Sequence, residues 1–379
     1  MINRTLLPYK AFYFFVYAAM AAATPFFTLY YESLGLSGRQ VGALAALPPL
    51  LTFLAAPLFG FLADLTGKPK RILVISISSV VLGIFALTLA DTFWGLILAV
   101  GFYALFFAPI LPIIDRSVLD ALGENRDQYG KQRLWGALGW GVAAPLAGSL
   151  VDQKGLHWAF YTSALLFTCL LIWAFFMPVS KPAAKEPFWL SFKKLMGSWP
   201  VVIFFGVALG GGIGLAMIHH YLFLYLAGLG ASSSVMGWAL TVGTLSELFV
   251  MGLSGQLLKR WKARGLLLAS LIFLSLRFFA YAVITEPGWA LAIQLLHGPT
   301  FAALWIASVA YVAEIAPLGL RNTSQGMLTG FVMGLGSTLG AIIGGVLYES
   351  IGFAQMYLWA GVGILLLIIL FLLGCRGRC

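Results

Sequence analysis

The sequence predicts an all-α membrane protein: twelve transmembrane helices in two pseudo-symmetric six-helix bundles, with both termini in the cytoplasm. Three observations predict it. Apolar residues fill 61% of the 379 positions and charged residues 9%, against about 45–50% and 25% in soluble domains. The apolar residues form continuous runs of helix-spanning length, where barrel strands would alternate over about ten residues. The two halves of the chain also repeat each other's glycines and acids. So large an apolar excess cannot be hidden inside a globule of this size, and lipid is the solvent that accepts it at the surface.

The spans fall near 10–31, 41–64, 71–90, 93–119, 132–151 and 157–177, then near 199–226, 235–257, 265–284, 288–314, 322–347 and 353–374. Residues 1–177 make the first bundle, 178–198 a polar cytoplasmic linker, and 199–379 the second bundle. The alanine-rich stretch 18–23 would suit a signal-peptide cleavage site. Its apolar run is too long for that and leads into the repeated pattern, so it reads as an uncleaved first span.

Orientation follows from the basic residues. With the N-terminus inside, the cytoplasmic segments collect Lys68, Lys70, Arg71, Lys131, Arg133, Lys193, Lys194, Lys259, Arg260, Arg264 and their neighbours, while the outer loops keep Arg39 and Lys154. That asymmetry is the positive-inside signal. It accounts for the net charge of +10 and excludes nucleic acid as its cause. Cys169, Cys375 and Cys379 form no disulfide framework. Metal-ligand clusters, nucleophile–base pairs and phosphate loops are not seen, so no enzyme, no catalytic residue, no metal and no cofactor are expected.

Gly42 and Gly60 flank the second span, and Gly237 and Gly255 flank the eighth at the same separation. Gly148-Ser-Leu-Val-Asp152 closes the fifth span as Gly345-Val-Leu-Tyr-Glu349 closes the eleventh. Two parallel six-helix repeats are an architecture for alternating access, with the site expected near mid-membrane between the halves. Transport therefore outranks a channel, an enzyme or a non-transporting receptor.

Charges within spans cost about 2.5–3.5 kcal/mol each even on insertion scales, so each marks a candidate site. Glu247, Arg277 and His297 sit at depths of about 18, 10 and 14 Å from the outer ends of their spans, at 1.5 Å per residue. They share one layer if their helices face each other. A carboxylate alternately paired and protonated there is proton-coupling chemistry; a static ion pair stitching three helices is the alternative. Arg133 and Trp140, seven apart, lie on nearly one helix face with Gly136 and Ala137 between them. That arrangement offers a guanidinium and an indole to a flat ring. Asp115 and Arg133 could equally form an interfacial salt bridge. Asp115 is a reserve proton carrier, and His219-His220 is a further titrating pair whose alternative is ordinary packing.

The loop Gly60-Phe-Leu-Ala-Asp64-Leu-Thr-Gly67-Lys68-Pro-Lys70-Arg71 resembles the signature loop of the major facilitator superfamily. Asp64, Lys68 and Arg71 are accordingly candidates for a cytoplasmic gate. The stretch Tyr129-Gly130-Lys-Gln-Arg133-Leu-Trp135-Gly136-Ala-Leu-Gly139-Trp140 resembles the fifth span of the lactose permease and its relatives, the oligosaccharide:proton symporters. Phenylpropionate and nucleoside permeases look similar over the same stretches. The resemblance implies the major facilitator fold, Asp115, Arg133 and Trp140 as substrate-binding residues, and Glu247 linking substrate to proton. It also exposes departures: Thr300 stands where the family carries a proton-bearing Glu, Gln294 where it has Lys, Val250 where it has a polar partner, and an apolar residue near Met333 where it has Lys. A site stripped of four polar partners suits a disaccharide less.

The expected function is proton-coupled symport of a small ring-bearing solute (sugar or glycoside, nucleoside, or aromatic carboxylate). It would be driven by the proton gradient, in a bacterial inner membrane, by a monomer whose partners are solute, protons and lipid. A proton-driven exporter is the runner-up, because Gly141-Val-Ala-Ala-Pro145-Leu-Ala-Gly148 partly matches the fifth-span signature of drug:proton antiporters.

Overall fold

The computed structural model describes residues 6–125, 128–180, 199–316 and 321–374, with Asp64, Pro200, Gly374 and residues 321–323 described through their backbone alone. The expected linker 178–198 lies outside the described residues from 181 onward. Every described element is helical, and eleven are long and apolar enough to cross a membrane. They are α1 (Leu7–Ser33), α2 (Gly38–Thr66), α3 (Pro69–Leu89), α4 (Phe93–Leu122), α5 (Tyr129–Lys154) and α6 (His157–Phe176). There follow α7 (Trp199–Gly228), α8 (Ser233–Gly252), α9 (Ser254–Val283), α10 (Trp289–Ile315) and α11 (Ser324–Leu373).

The last of these is 50 residues long, twice what a bilayer needs. Its helical path is broken at Gly352, where φ is 78° and ψ 166°. The loop expected between spans at 348–352 coincides with this break, made where a residue without Cβ takes a positive φ. The start of α9 breaks similarly at Lys262, whose φ of 55° is the sole positive value at a non-glycine among the described residues. Pro48, Pro49 and Pro57 lie inside α2; each removes a backbone donor, which buried membrane helices tolerate when neighbours re-satisfy the freed groups.

The chain divides into two compact units: residues 1–36, 47–184 and 231–241, and residues 37–46, 185–230 and 242–379. In the first, α1 is the buried centre, with Phe12, Tyr13, Val16 and Tyr31 fully covered and α5 and α6 packed on it. In the second, α7 packs on α11, and α9 packs on α10 and α11. Leu89, Trp94, Leu98 and Phe176 are largely exposed, as an apolar surface made for lipid requires.

The repeated glycines and acids acquire a physical meaning here. In the first unit a Cβ on Gly148 would collide with the carbonyl of Ser233, and one on Gly237 with that of Ala144. In the second, a Cβ on Gly345 would collide with the carbonyl of Gly38, and one on Gly42 would stand 2.8 Å from that of Ala341. The missing side chains let the start of α8 lie against α5, and the start of α2 against α11. The acids then cap the helices so approached. Asp152 accepts from the backbone N–H of Ser233 at 2.7 Å, and from the N–H and hydroxyl of Ser234 at 2.9 and 2.6 Å. Glu349 accepts from the N–H of Arg39 at 2.6 Å. A carboxylate on a helix N-terminus satisfies orphan donors and complements the helix dipole. Asp152→Ala should lower stability by about 1 kcal/mol, seen as a lower melting temperature of the purified protein; Asp152→Asn, which keeps one of the two accepting oxygens, should recover only part of it.

Candidate functional site

Each unit gathers its intramembrane charges into one polar cluster. In the second unit the anchor is Arg277 on α9, 1% exposed. Its guanidinium donates to the Gln294 side-chain oxygen at 2.7 Å and to the Thr300 hydroxyl at 2.9 Å, and its Nη1 lies 3.2 Å from His297 Nδ1. A guanidinium only donates, so the imidazole nitrogen facing it is the acceptor, and the ring proton sits on Nε2. That nitrogen points at Glu247, 3.6 Å from its Oε2. This is an electrostatic contact, longer than a hydrogen bond. The order across the cluster is therefore carboxylate, imidazole, guanidinium. The sequence layer of Glu247, Arg277 and His297 is brought together, with His297 standing between the two charges. Phe301 stacks on the His297 ring at 5.3 Å.

Local structure explains the register. Residues Gly298–Ala302 form a π-turn directly after His297, a feature that re-aims side chains within a helix. At that turn a Cβ on Gly298 would collide with the Ser246 carbonyl. The Ser246 hydroxyl donates to the Leu295 carbonyl and accepts from the N–H of Gly298 at 3.1 Å. α8 is thereby stitched to α10 one residue before Glu247. Gln294 and Thr300, which replace charged residues of the resembling family, accept from Arg277 as neutral groups. Arg277 Nε and the hydroxyls of Tyr281 and Tyr357, all buried, have no hydrogen-bond partner among the described residues; the guanidinium lies over the Tyr281 ring at 5.7 Å. His220 Nε2 meets the Ser337 hydroxyl at 3.1 Å, and its ring stands 5.3 Å from that of His219.

In the first unit, Asp115 on α4 and Arg133 on α5 are not directly paired. Asp115 accepts from the Tyr13 hydroxyl at 2.6 Å, and Tyr129 approaches the same carboxylate. Arg133 donates to the Tyr17 hydroxyl and lies over that ring. Tyr13 and Tyr17, one helical turn apart on α1, separate the acid from the base. The salt bridge left open by the sequence is therefore replaced by two phenol contacts. The ring of Tyr17 occupies the space over Gly136, where a Cβ would strike it, and Gly139 admits the Phe14 backbone. Trp140 is half-buried against Ala18, Ala21, Ala143 and Ala144, with Phe14, Leu166 and Leu240. Arg116 pairs within its own helix with Asp120, 3.8 Å away.

Of the gate candidates, the Asp64 side chain lies outside the described residues. Lys68 precedes the first turn of α3, where its carbonyl accepts from the N–H of Arg71 at 3.0 Å. The neighbouring Lys70 donates to the Phe175 carbonyl at 2.7 Å. Sequence reasoning missed Tyr13, Tyr17 and Ser246. The spacing of Tyr9, Tyr13 and Tyr17, four apart on one face of α1, was the available signal for the tyrosines; nothing local marks Ser246.

Comparison with known proteins agrees with this architecture. Residues 6–359 match the MFS_1 like family. The chain is 26% identical to the maltose permease of Geobacillus stearothermophilus, covering 97% of this chain and 94% of that protein. It is 24% identical to the probable 3-phenylpropionic acid transporter of Escherichia coli (strain K12), covering 93% of each. The crystal structure of the nucleoside transporter NupG superposes with a TM-score of 0.86 at 18% identity, covering 99% of this chain and all of that one.

Proposed function

We propose, starting from the fact that this chain belongs to the MFS_1 like family and is a multi-pass membrane transporter, that it is a proton-coupled symporter importing a small ring-bearing organic solute by alternating access. The polypeptide would cross a bacterial inner membrane twelve times with both termini in the cytoplasm. The break at Gly352 supports two spans in α11, and the basic residues support the orientation. Sugars or glycosides, nucleosides and aromatic carboxylates are the solute classes considered. The maltose, nucleoside and phenylpropionic acid transporters to which the chain is similar all carry ring-bearing cargo. The energy source would be the proton gradient, with no cofactor, and the working unit a monomer.

The observation that carries the coupling is the Glu247–His297–Arg277 relay. With Gln294 and Thr300 neutral, Glu247 is the carboxylate of this cluster among the described residues. Arg277 occupies the Nδ1 lone pair of His297, which opposes a second proton on the ring. The exchangeable proton is thereby directed to Glu247. Ionised, Glu247 is held by the His297 Nε2–H and the guanidinium field behind it; protonated, it is released from both. Binding and releasing one proton thus changes how tightly α8 is tied to α10. Asp64, Lys68 and Arg71 would form the cytoplasmic gate, while Asp115, Arg133 and Trp140 would contribute to solute binding.

Glu247→Gln should abolish uphill, proton-driven uptake in proteoliposomes and leave solute exchange at equal concentrations intact. Uphill uptake at the wild-type rate would remove Glu247 from the mechanism. Export, the second reading, rested on the glycine and proline pattern of α5. Gly148 already serves the contact with Ser233, so packing accounts for it. Direction decides between the two: expression should increase entry of labelled solute rather than confer resistance to a toxic one.

A further inference from the structure

We propose that Arg133 is the binding point for the carboxylate of a monoanionic solute, so that the cargo is an organic monocarboxylate; this rests on the import reading above. Arg133, an exposed residue near the start of a membrane span, carries its charge at every accessible pH and has five donors in a fixed fork. Its hydrogen bond in the structure is to a neutral phenol, Tyr17, and no carboxylate forms an ion pair with it among the described residues.

The acids nearby are engaged elsewhere. Asp115 is taken by Tyr13 at 2.6 Å and approached by Tyr129, and Asp120 lies 3.8 Å from Arg116. Charges in membrane spans tend to pair, and an arriving carboxylate gives this guanidinium a direct ionic partner. The site is also built in advance. Tyr17 is seated over Gly136 and pins one edge of the guanidinium, leaving the rest of the fork to accept a carboxylate through two parallel hydrogen bonds.

The same arrangement selects against other anions. Asp115 and Arg133 together are neutral, so a monoanion leaves a net charge of −1 there. A phosphomonoester, carrying about −1.5 to −2, would sit against the Asp115 charge without a second cation. A neutral nucleoside or sugar would leave the guanidinium without a direct ionic partner.

The test is thermal stabilisation of the full chain, purified in detergent, by matched probes: benzoate, cinnamate and 3-phenylpropionate, their primary amides, uridine and maltose. A ligand raises the melting temperature of the state it binds. The acids should stabilise and their amides should bind at least tenfold more weakly. Arg133→Gln should weaken the acids at least tenfold, Arg133→Lys less, and Tyr17→Phe, which removes one oxygen, by a few-fold. Gly206→Ala, where an added Cβ meets nothing within 4 Å, should leave acid binding within twofold of wild type. The proposal fails if acids and amides stabilise equally, if Arg133→Gln binds the acids as wild type does, or if no acid of the panel stabilises the protein. In each case the coupling reading stands or falls separately, on uphill uptake by Glu247→Gln.

Discussion

Gly298→Val should yield a protein that still inserts but loses proton-driven accumulation by tenfold or more, with a clear drop in melting temperature. Any Cβ at this position runs into the carbonyl of Ser246 on α8, and backbone cannot rotate away as a side chain can. The two helices must separate, breaking the Ser246 contacts to Leu295 and Gly298. Overpacking of this kind costs about 1–3 kcal/mol, and a backbone obstacle on both sides belongs at the upper end. Glu247, the next residue along α8, then moves off His297, already at 3.6 Å. Proteoliposome uptake with an imposed pH gradient, paired with a melting curve, measures both effects. Gly206→Ala is the control: nothing lies within 4 Å of a Cβ there, so melting and uptake should match wild type. Wild-type accumulation by Gly298→Val would show that the close approach of α8 and α10 is unrelated to coupling.

Arg277→Met should be the most destabilising single substitution in the second unit, by about 3 kcal/mol or more. The guanidinium is 1% exposed and supplies the donors to Gln294 and Thr300. Methionine fills similar volume but leaves buried acceptors without a donor, at about 1–3 kcal/mol for each unsatisfied group. It also removes the charge that balances Glu247 through His297. Arg277→Lys should recover only part of this, since a single ammonium cannot hold the fork geometry of three partners. Melting of the purified variants gives the stability order, Arg above Lys above Met. Equal melting of Met and wild type would mean the cluster is not a structural anchor.

The Glu247–His297–Arg277 cluster was half legible in the sequence. Glu247, Arg277 and His297 could be grouped because span depth is counted along the chain at a fixed rise, and a charge at depth needs a partner. Which group stands in the middle was not legible, because it depends on rotation about three helix axes and on the π-turn after His297. Asp115 and Arg133 show the opposite outcome. Their opposite charges invited a direct pair, yet Tyr13 and Tyr17 on α1 reach them first. Gly136 and Gly139 bring α1 and α5 close enough for that, and a bare surface over Gly136 does not survive the packing.

The sequence by itself determined that the chain is lipid-solvated, helical and repeated, because these properties follow from composition and periodicity, which are local and additive. It also marked Gly148, Asp152, Gly345 and Glu349 as equivalent positions. Only the tertiary structure decided what that equivalence does: small residues admit a neighbouring helix, and the acids cap its first turn. It likewise decided that Arg133 faces a phenol rather than a carboxylate. Hydrogen-bond partners are set within a few tenths of an ångström by helices distant in sequence, and no spacing along one helix encodes that distance.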